Sequence, residues 1–326
     1  MTAFSDEDYE HWLEHGYVVH QLLDVNEVAA ALEGIDEHMP SWDDYARHPR
    51  WYAETVGRTG FIRVDFPFGT AGLDHTTVHP DLVAFAERVL RTRQIMLSHG
   101  QLGGKYAGTK DFEQPLHVDY GNNMLVVPNP DEIAFDVPAL LYYTEVTIDL
   151  GPTYVVPQEH TRDDPLMPRH RFRNEHPAMY EHELAVTVPA GWVLVYSMRT
   201  FHRGSRLEAR EGLRYAQNIG FKRCDTLFCG QETFQHEGGS SEMDRYLVAG
   251  TPRQRELVGF PAVGDPYWTP DSLAATARRY PHLDLSPYAL TTDARPEPLD
   301  ESMPEPGTTP GAATTPGDTL PSHAGG

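Results

Sequence analysis

The stretch "GWVLVYSMRTFHRGSR", residues 191–206, combines the two features on which the fold prediction depends. It begins with an apolar run of the length of a β-strand and continues into a polar turn that contains His202. Short runs of the same kind, rich in Val, Leu, Ile, Tyr and Thr, recur between residues 95 and 225, and turns with Gly, Pro, Asn or Asp separate them. The other runs are "RQIMLSHGQL", "MLVVP", "PALLYYTEVT", "TYVVP", "ELAVTVP" and "RYAQNIGFK". Such a series predicts an antiparallel sandwich or barrel.

Helical patterns flank this β-rich core of about residues 95–225, so the predicted class is α+β, mainly β, built on a double-sheet roll. Helices are expected within residues 5–92, around the strand-like "YVVHQLL", and again over residues 240–290. We expect one domain over residues 1–292. Residues 293–326 are Pro, Gly, Thr and acids with almost nothing apolar, and this composition predicts a disordered tail.

The charge and composition exclude several classes of partner. The formal net charge of −22 repels a phosphate backbone and an anionic membrane surface, so neither nucleic acid nor membrane is expected as a partner. The N-terminus is acidic where a secretory signal is basic, and no apolar run reaches the roughly 18–20 residues that span a bilayer. We therefore expect a cytoplasmic protein, monomeric or homodimeric, that acts on a small molecule.

A His-x-Asp pair, His117 and Asp119, lies in "PLHVDYGN", residues 115–122. Residues two apart on a strand point to the same side, so an imidazole and a carboxylate placed in this way converge as a chelate requires. The same spacing occurs at His79-Pro80-Asp81, which is explained as the start of a helix over residues 80–91, and at His282-Leu283-Asp284, just past a predicted helix. An exposed polar pair is the alternative explanation of the middle copy.

His202 supplies a third ligand of the right type. Two histidines and one carboxylate on a β scaffold are the ligand set of non-haem Fe(II) oxygenases, which leaves further coordination positions open. Arg214 follows on the next predicted strand. A buried arginine needs an anionic partner, and its fork suits the far carboxylate of a small diacid. A hydrogen-bonded loop histidine and a surface arginine are the alternatives for these two residues.

Four blocks of the sequence, together with its opening "FSDEDYEHWLEHGYVV", resemble the phytanoyl-CoA dioxygenase-like family of Fe(II)/2-oxoglutarate oxygenases over roughly residues 4–225. The blocks are "PLHVDY" (115–120), "LGPTYVVPQEH" (150–160), "VPAGWVLVYSMRTFHRGS" (188–205) and "GLRYAQNIGF" (212–221). The resemblance implies a double-stranded β-helix, or jelly roll, and an enzyme that uses Fe(II), 2-oxoglutarate and O2.

The resemblance also implies roles for single residues. The implied iron ligands are His117, Asp119 and His202. Arg214 is expected to anchor the far carboxylate of 2-oxoglutarate, with Ser205 as a second contact and Lys105 nearby. The chain departs from the family at Leu150, where asparagine is usual, in "PQEH" and at Arg206, and these departures concern turns rather than ligands. The related halogenases lack the carboxylate that Asp119 supplies, so its presence favours hydroxylation.

The predicted activity is therefore hydroxylation, desaturation or ring formation on a small molecule, such as a secondary metabolite or an amino-acid derivative, with release of succinate and CO2. A cupin-type metal enzyme without 2-oxoglutarate and an inactive β-roll binding protein are the alternatives. The side chains Tyr120, Asn122, Asn123 and Tyr143 are predicted to contact the substrate. The aromatic stretch at residues 51–69 fills the core or lines the pocket, with core filling preferred.

Overall fold

The computed structural model of the chain describes residues 3–56, 61–108, 113–119, 136–166, 170–225, 234 and 240–289. Within these residues the strands form two antiparallel sheets that face each other. The strands of the larger sheet are, in spatial order, β1 (Tyr17–Gln21), β9 (Trp192–Tyr196), β5 (Asp136–Tyr142), β11 (Leu213–Arg223), β3 (Ile95–Tyr106) and β2 (Phe61–Asp65). Those of the smaller sheet are β7 (His170–Arg171), β4 (Leu116–His117), β10 (His202–Gly204), β6 (Thr153–Val155) and β8 (Leu184–Val186). The predicted double-sheet roll with flanking helices is confirmed.

Most of the helices come before β3 or after β11, and strands β1 and β2 lie among the first group. The first group is α1 (Asp6–His15), α2 (Val25–Asp36), α3 (Trp42–Arg47), α4 (Pro49–Val56), α5 (Ala71–Thr77) and α6 (Pro80–Leu90). A single turn, α7 (Pro177–Tyr180), lies within the roll, and α8 (Ser241–Ala249), α9 (Pro252–Glu256), α10 (Pro270–Arg279) and α11 (Ser286–Ala289) follow it. The first two helices begin after Ser5 and Asp24, which both form capping boxes.

Strand β5 explains how the larger sheet separates two apolar cores. Leu141 packs in the cluster formed with the helices, whereas Leu140 and Tyr142 pack in a cluster with Val155 and Val186 of the smaller sheet. The strand is apolar on both faces because one face meets helices and the other meets the second sheet. This double burial fixes the larger sheet as the rigid wall of the roll.

Two predictions on segments of the chain have different outcomes. The helix predicted over residues 80–91 is present as α6. The tail predicted over residues 293–326 lies outside the described residues. Among the described residues, no helix combines the length and the apolar character needed to cross a lipid bilayer.

Candidate functional site

The three predicted ligands come together between the sheets, on the smaller one. Strand β10 pairs with β4 so that His202 lies directly opposite His117, and their ring centroids are 4.5 Å apart. Asp119 completes the group, with its Oδ1 3.8 Å from Nε2 of His117 and its Oδ2 3.5 Å from Nε2 of His202. One ligand atom from each residue lies within 4.8 Å of the others, so a single ion can contact all three.

The local backbone differs from the prediction for this motif. Strand β4 ends at His117, and Asp119 stands in the turn that follows rather than on the strand. Val118 between them is fully buried in a separate apolar cluster with Leu116 and Phe201. The side chains of residues 117–119 therefore still point alternately to opposite sides, although the strand ends at His117. Because Val118 is buried on one side, the side chains of His117 and Asp119 point toward His202 on the other.

The hydrogen bonds of the two imidazoles fix which nitrogen faces the shared point. Nδ1 of His117 lies 3.0 Å from the carbonyl oxygen of Pro115, and Nδ1 of His202 lies 3.0 Å from that of Thr200. A carbonyl oxygen only accepts, so Nδ1 carries the hydrogen in both rings. In the neutral form of each ring, Nε2 then presents a lone pair toward Asp119, and this is the form in which histidine binds a metal. The donor set and its protonation fit a divalent transition metal ion such as Fe(II).

The carboxylate of Asp119 is held in its charged form. Burial by itself would raise its pKa, but the positive charge that His202 and His117 carry when protonated, together with a hydrogen bond from Tyr196, brings the pKa below the usual value. The hydroxyl of Tyr196 donates to Oδ2 at 3.2 Å. An anionic Asp119 is what a cation at this position requires.

A second group of similar composition, Glu27, His75 and His79, also lies within metal-binding distance. Here Nδ1 of His79 accepts a hydrogen bond from the backbone N–H of Asp81 at 3.2 Å, as the N-cap of α6. Its hydrogen is therefore on Nε2, which faces Oε1 of Glu27 at 3.4 Å. No lone pair is left on Nε2 of His79 for a metal, and His79 acts as the N-cap of α6, in agreement with the explanation given to it from the sequence.

Arg214 lies on β11, and only 8% of it is exposed. One guanidinium nitrogen donates to the carbonyl oxygen of Gly151. Lys105 is its register partner on β3, and Nζ of Lys105 donates to the carbonyl oxygen of Ser205 at 2.9 Å. The Ser205 hydroxyl donates to Pro152 at 2.6 Å. Two cations thus lie side by side on the larger sheet, and Ser205 lies beside Lys105.

A cavity of about 320 Å³ joins the three candidate ligands to these cations. Its described lining from the smaller-sheet side consists of Gln114, His117, Asp119, Thr153, His202 and Gly204. The larger sheet contributes Arg63, His99, Gln101, Gly103, Lys105, Leu140, Tyr196, Arg214, Ala216 and Asn218. Ser205 is not part of the described lining, and its predicted role in binding a co-substrate stays a prediction.

The residues predicted to contact the substrate have a different outcome. Tyr143 does not line this cavity: it is fully buried on the helix side of the sheet, where its hydroxyl contacts Gln217 and Thr76. Its neighbour Tyr142 faces the inside of the roll, so the prediction placed this position on the wrong face. The predicted substrate residues Tyr120, Asn122 and Asn123 lie outside the described residues.

Several lining residues were not predicted. Arg63 comes from the stretch at residues 51–69, whose Phe66 and Phe68 fill the core as expected. His99 folds across Gly220, where a Cβ atom would stand 2.6 Å from its Nδ1, and burial lowers its pKa. The sequence contained a signal that could have identified the lining residues of β3. The polar residues of "HGQLGGK" all fall on alternate positions, which places them on one face of a strand.

Comparisons with known proteins identify a family and a fold. Residues 12–208, more than half of the chain, match the phytanoyl-CoA dioxygenase (PhyH) family. No curated protein matches the chain.

Three similar solved structures show the same fold. The epimerase SnoN, solved with Fe3+, alpha ketoglutarate and nogalamycin RO, is 19% identical with a TM-score of 0.50, over 67% of this chain and 83% of SnoN. HygX from Streptomyces hygroscopicus, with nickel, 2-oxoglutarate and hygromycin B bound, is 16% identical with a TM-score of 0.50, over 68% of this chain and 88% of HygX. The carbocyclase SnoK from nogalamycin biosynthesis is 18% identical with a TM-score of 0.52, over 72% of this chain and 91% of SnoK.

Proposed function

Because the chain belongs to the phytanoyl-CoA dioxygenase family, we propose that it is an Fe(II)/2-oxoglutarate-dependent oxygenase that hydroxylates a small molecule. The observation that carries the proposal is the pair of Nε2 lone pairs and the Asp119 carboxylate at one cavity wall, with Arg214 at another. Desaturation and ring formation are the other outcomes that the same site supports.

In this proposal the three ligands hold the metal from one side. His117 and His202 are fixed in orientation by backbone carbonyls, and Asp119 is fixed by Tyr196. A metal held by these three residues would keep further coordination positions for ligands that enter from the cavity. When bound, iron and 2-oxoglutarate supply oxygen activation, coupled to decarboxylation of the keto acid to succinate and CO2.

The cationic pair on the larger sheet would receive the co-substrate. Arg214 is buried and charged, and Lys105 stands beside it across the β11–β3 ladder. A carboxylate in this place gains charge-assisted hydrogen bonds, which are about twice as strong as neutral ones. We assign the far carboxylate of 2-oxoglutarate to Arg214, with Lys105 as a neighbouring positive charge.

The similar solved structures support a small-molecule substrate, but they do not indicate a single type of reaction. They are an epimerase, a carbocyclase and a protein bound to hygromycin B. The three metal ligands alone do not select among such outcomes, because the geometry of the bound substrate decides which bond reacts. We propose hydroxylation because Asp119 fills the third ligand position, and a secondary metabolite or an amino-acid derivative as substrate.

An anaerobic titration with Fe(II) and 2-oxoglutarate tests the proposal. The wild-type protein should develop the weak visible charge-transfer band of an iron–keto acid complex, and it should release succinate once oxygen is admitted. His202→Ala should lose both signals and keep its fold by circular dichroism. The matched control is His282→Ala, since His282 belongs to an exposed His-x-Asp pair elsewhere. Unchanged turnover in His202→Ala, or no band in the wild type, would overturn the proposal in favour of a cupin-type enzyme or a binding protein.

The co-substrate assignment has its own test. Arg214→Ala should raise the 2-oxoglutarate concentration needed for half of the band at least about tenfold, because one charge-assisted contact is worth about 1.5–3 kcal/mol. Iron affinity without 2-oxoglutarate should not change. The control is Arg206→Ala, which removes an exposed arginine from the same chain region. An unaltered 2-oxoglutarate requirement would place the anchor elsewhere.

A further inference from the structure

The turn between β9 and β10 carries the chain from the larger sheet to the smaller one, and His202 is the first residue of β10. Thr200 in this turn is completely buried. Its backbone N–H donates to the carbonyl oxygen of Ser197 at 2.8 Å, which closes the turn. Its own carbonyl oxygen accepts the hydrogen bond from Nδ1 of His202. The orientation of this imidazole therefore depends on where the turn holds one peptide group.

The end of α1 holds this turn in place. Helix α1 ends at Gly16, whose φ of 78° is in the left-handed region. The carbonyl oxygen of Gly16 accepts two hydrogen bonds, one from the backbone N–H of Ser197 at 2.8 Å and one from the hydroxyl of Thr200 at 2.6 Å. Because buried polar groups are costly to leave without a partner, these two bonds tie both ends of the turn to one atom of the helix end.

A second segment supports the same hydroxyl group. Gln158 begins the 3-10 turn Gln158–His160, and its Nε2 donates to Oγ1 of Thr200 at 3.2 Å. The side chain of Gln158 passes close to Gly16, where a Cβ atom would lie 2.4 Å from its Cδ and Nε2. Glycine at this helix end thus permits both the left-handed backbone and the close approach of the amide. The hydroxyl of Thr200 joins three segments that are distant in sequence.

The two candidate histidine ligands differ in this support. Nδ1 of His117 donates to the carbonyl oxygen of Pro115, and a proline side chain has no group that can form a hydrogen bond. The carbonyl partner of His202 belongs to Thr200, whose side chain is anchored at Gly16. A change confined to the hydroxyl of Thr200 should therefore act on one candidate ligand and leave the other as it is.

We propose that Thr200 is a positioning residue for His202, and that the end of α1 acts on the metal site through the Thr200 hydroxyl. This inference rests on the proposed function for the role of His202 as a metal ligand. The hydroxyl holds the turn, and the turn holds the Thr200 carbonyl. The carbonyl keeps the hydrogen on Nδ1 of His202, so that Nε2 faces Asp119 with a lone pair. Groups that orient a histidine ligand through its second nitrogen raise its metal affinity.

The variant Thr200→Val tests the proposal, because valine has nearly the shape of threonine and lacks the hydroxyl. Ni(II) affinity, measured by calorimetry, should fall about fivefold, which is the equilibrium equivalent of one hydrogen bond of average net strength. This loss is smaller than the roughly 10–100-fold expected when a group that orients a ligand directly is removed. Thr200→Ser keeps the hydroxyl and should recover most of the affinity.

The matched control is Thr76→Val on α5. Thr76 is also buried, and its hydroxyl also donates to a backbone carbonyl, that of Leu73, at 2.8 Å. Both valine variants should lower the midpoint of urea denaturation, but only Thr200→Val should lower the Ni(II) affinity. Equal losses of affinity in the two variants would show that general stability, rather than the position of His202, is responsible, and would refute the proposal.

Nuclear magnetic resonance of the metal-free protein with 15N-labelled histidine gives a second readout. The Nδ1 hydrogens of the two rings are assigned with His117→Gln and His202→Ala. In Thr200→Val the exchange of the His202 hydrogen with water should become about fivefold faster, since its acceptor is held less firmly. The exchange of the His117 hydrogen should not change. A general loss of stability would affect both hydrogens alike.

The outcomes separate this inference from the proposed function. Absence of Ni(II) binding in the wild type would refute both. Wild-type Ni(II) affinity in Thr200→Val, or unchanged exchange at His202, would refute only the positioning role of Thr200, because the metal site would then not depend on the end of α1.

Discussion

Two clusters of the same chemistry, His117–Asp119–His202 and Glu27–His75–His79, differ in where their imidazole hydrogens are directed. In the first cluster both Nδ1 atoms lie beside carbonyl oxygens, so the Nε2 lone pairs face the carboxylate. In the second, Nδ1 of His79 accepts from a backbone N–H, and Nε2 must carry the hydrogen. Distances between ligand atoms do not distinguish the clusters. The backbone group opposite Nδ1 does, because it decides whether the ring can give a lone pair to a metal.

The largest expected effect separates the clusters by metal affinity. Equilibrium dialysis or calorimetry with Ni(II) in place of Fe(II) should find one tight site per chain. His117→Gln should weaken it by more than about 100-fold, because even removal of a group that only orients a ligand costs about 10–100-fold. His75→Gln, the matched change in the second cluster, should leave affinity and stoichiometry as they are. A second tight site that disappears with His75→Gln would contradict the comparison.

The tautomers that distinguish the clusters could not be predicted from the sequence, although the two His-x-Asp motifs could be told apart. The sequence contains His-x-Asp at both His117 and His79, and only helix-start signals such as Pro80 separated them. Those signals were sufficient because they act locally, over one helical turn. In the first cluster, the carbonyl groups of Pro115 and Thr200 lie only two residues before His117 and His202, but Tyr196, which donates to Asp119, is distant from it in sequence, and only the fold brings the cluster together.

The difference between local and distant information also explains which parts of the fold could be predicted from the sequence. Long strands such as β3 and β5 have apolar runs that show in the sequence. The smaller sheet is made of strands of two or three residues, too short for any periodic pattern, and β7 was not predicted. The cavity lining on the larger sheet depends on strand register, which pairs Arg63 with Gly103 across forty positions of sequence and is not encoded in either strand alone.

The second expected effect concerns the support of the short strand that carries His202. Arg203 is buried beside it, pairs with both carboxylate oxygens of Glu183 at 2.7 and 2.9 Å, and lies over the ring of Tyr154. Arg203→Met removes one partner of a buried ion pair and should cost about 3–5 kcal/mol of unfolding free energy. Urea denaturation measures this, and metal affinity should also fall because β10 loses its outer support.

A control on the larger sheet sharpens that prediction. Leu141→Ala should cost a similar amount, about 2–5 kcal/mol, by leaving a cavity against the helices. Because Leu141 faces away from the cavity, metal affinity of the folded protein should not change. Equal loss of affinity in the two variants would mean that global stability, not local support of β10, controls the metal site.

A smaller effect is expected from the cap in the second cluster. His79→Ala removes the side chain that accepts from the N–H of Asp81, and loss of such a cap costs about 0.5–2 kcal/mol. His79→Asn should recover most of the loss, since asparagine is a favoured N-cap. Both variants should bind metal as the wild type does. Failure of asparagine to restore stability would mean that the Glu27 contact, not the cap, is the main contribution of His79.

The smallest expected effect is a dependence of stability on pH that belongs to the second cluster. Burial lowers the pKa of His79 below its usual 6.5, against the opposing effects of Glu27 and Asp81. The folded protein therefore binds this proton less readily than the unfolded chain does, so the contribution of His79 is fully present above pH 6.5 and is lost as the pH falls toward the lowered pKa. Protonation places a hydrogen on Nδ1 against the N–H of Asp81, which breaks the cap.

A single group changes the unfolding free energy by at most about 1.4 kcal/mol per pH unit. Urea denaturation between about pH 7.5 and 5, where histidine titrates, measures this effect. The unfolding free energy of His79→Asn should fall less steeply with decreasing pH than that of the wild type. Parallel curves would show that His79 does not hold the neutral form that its hydrogen bonds require, and the tautomer argument for the second cluster would fail.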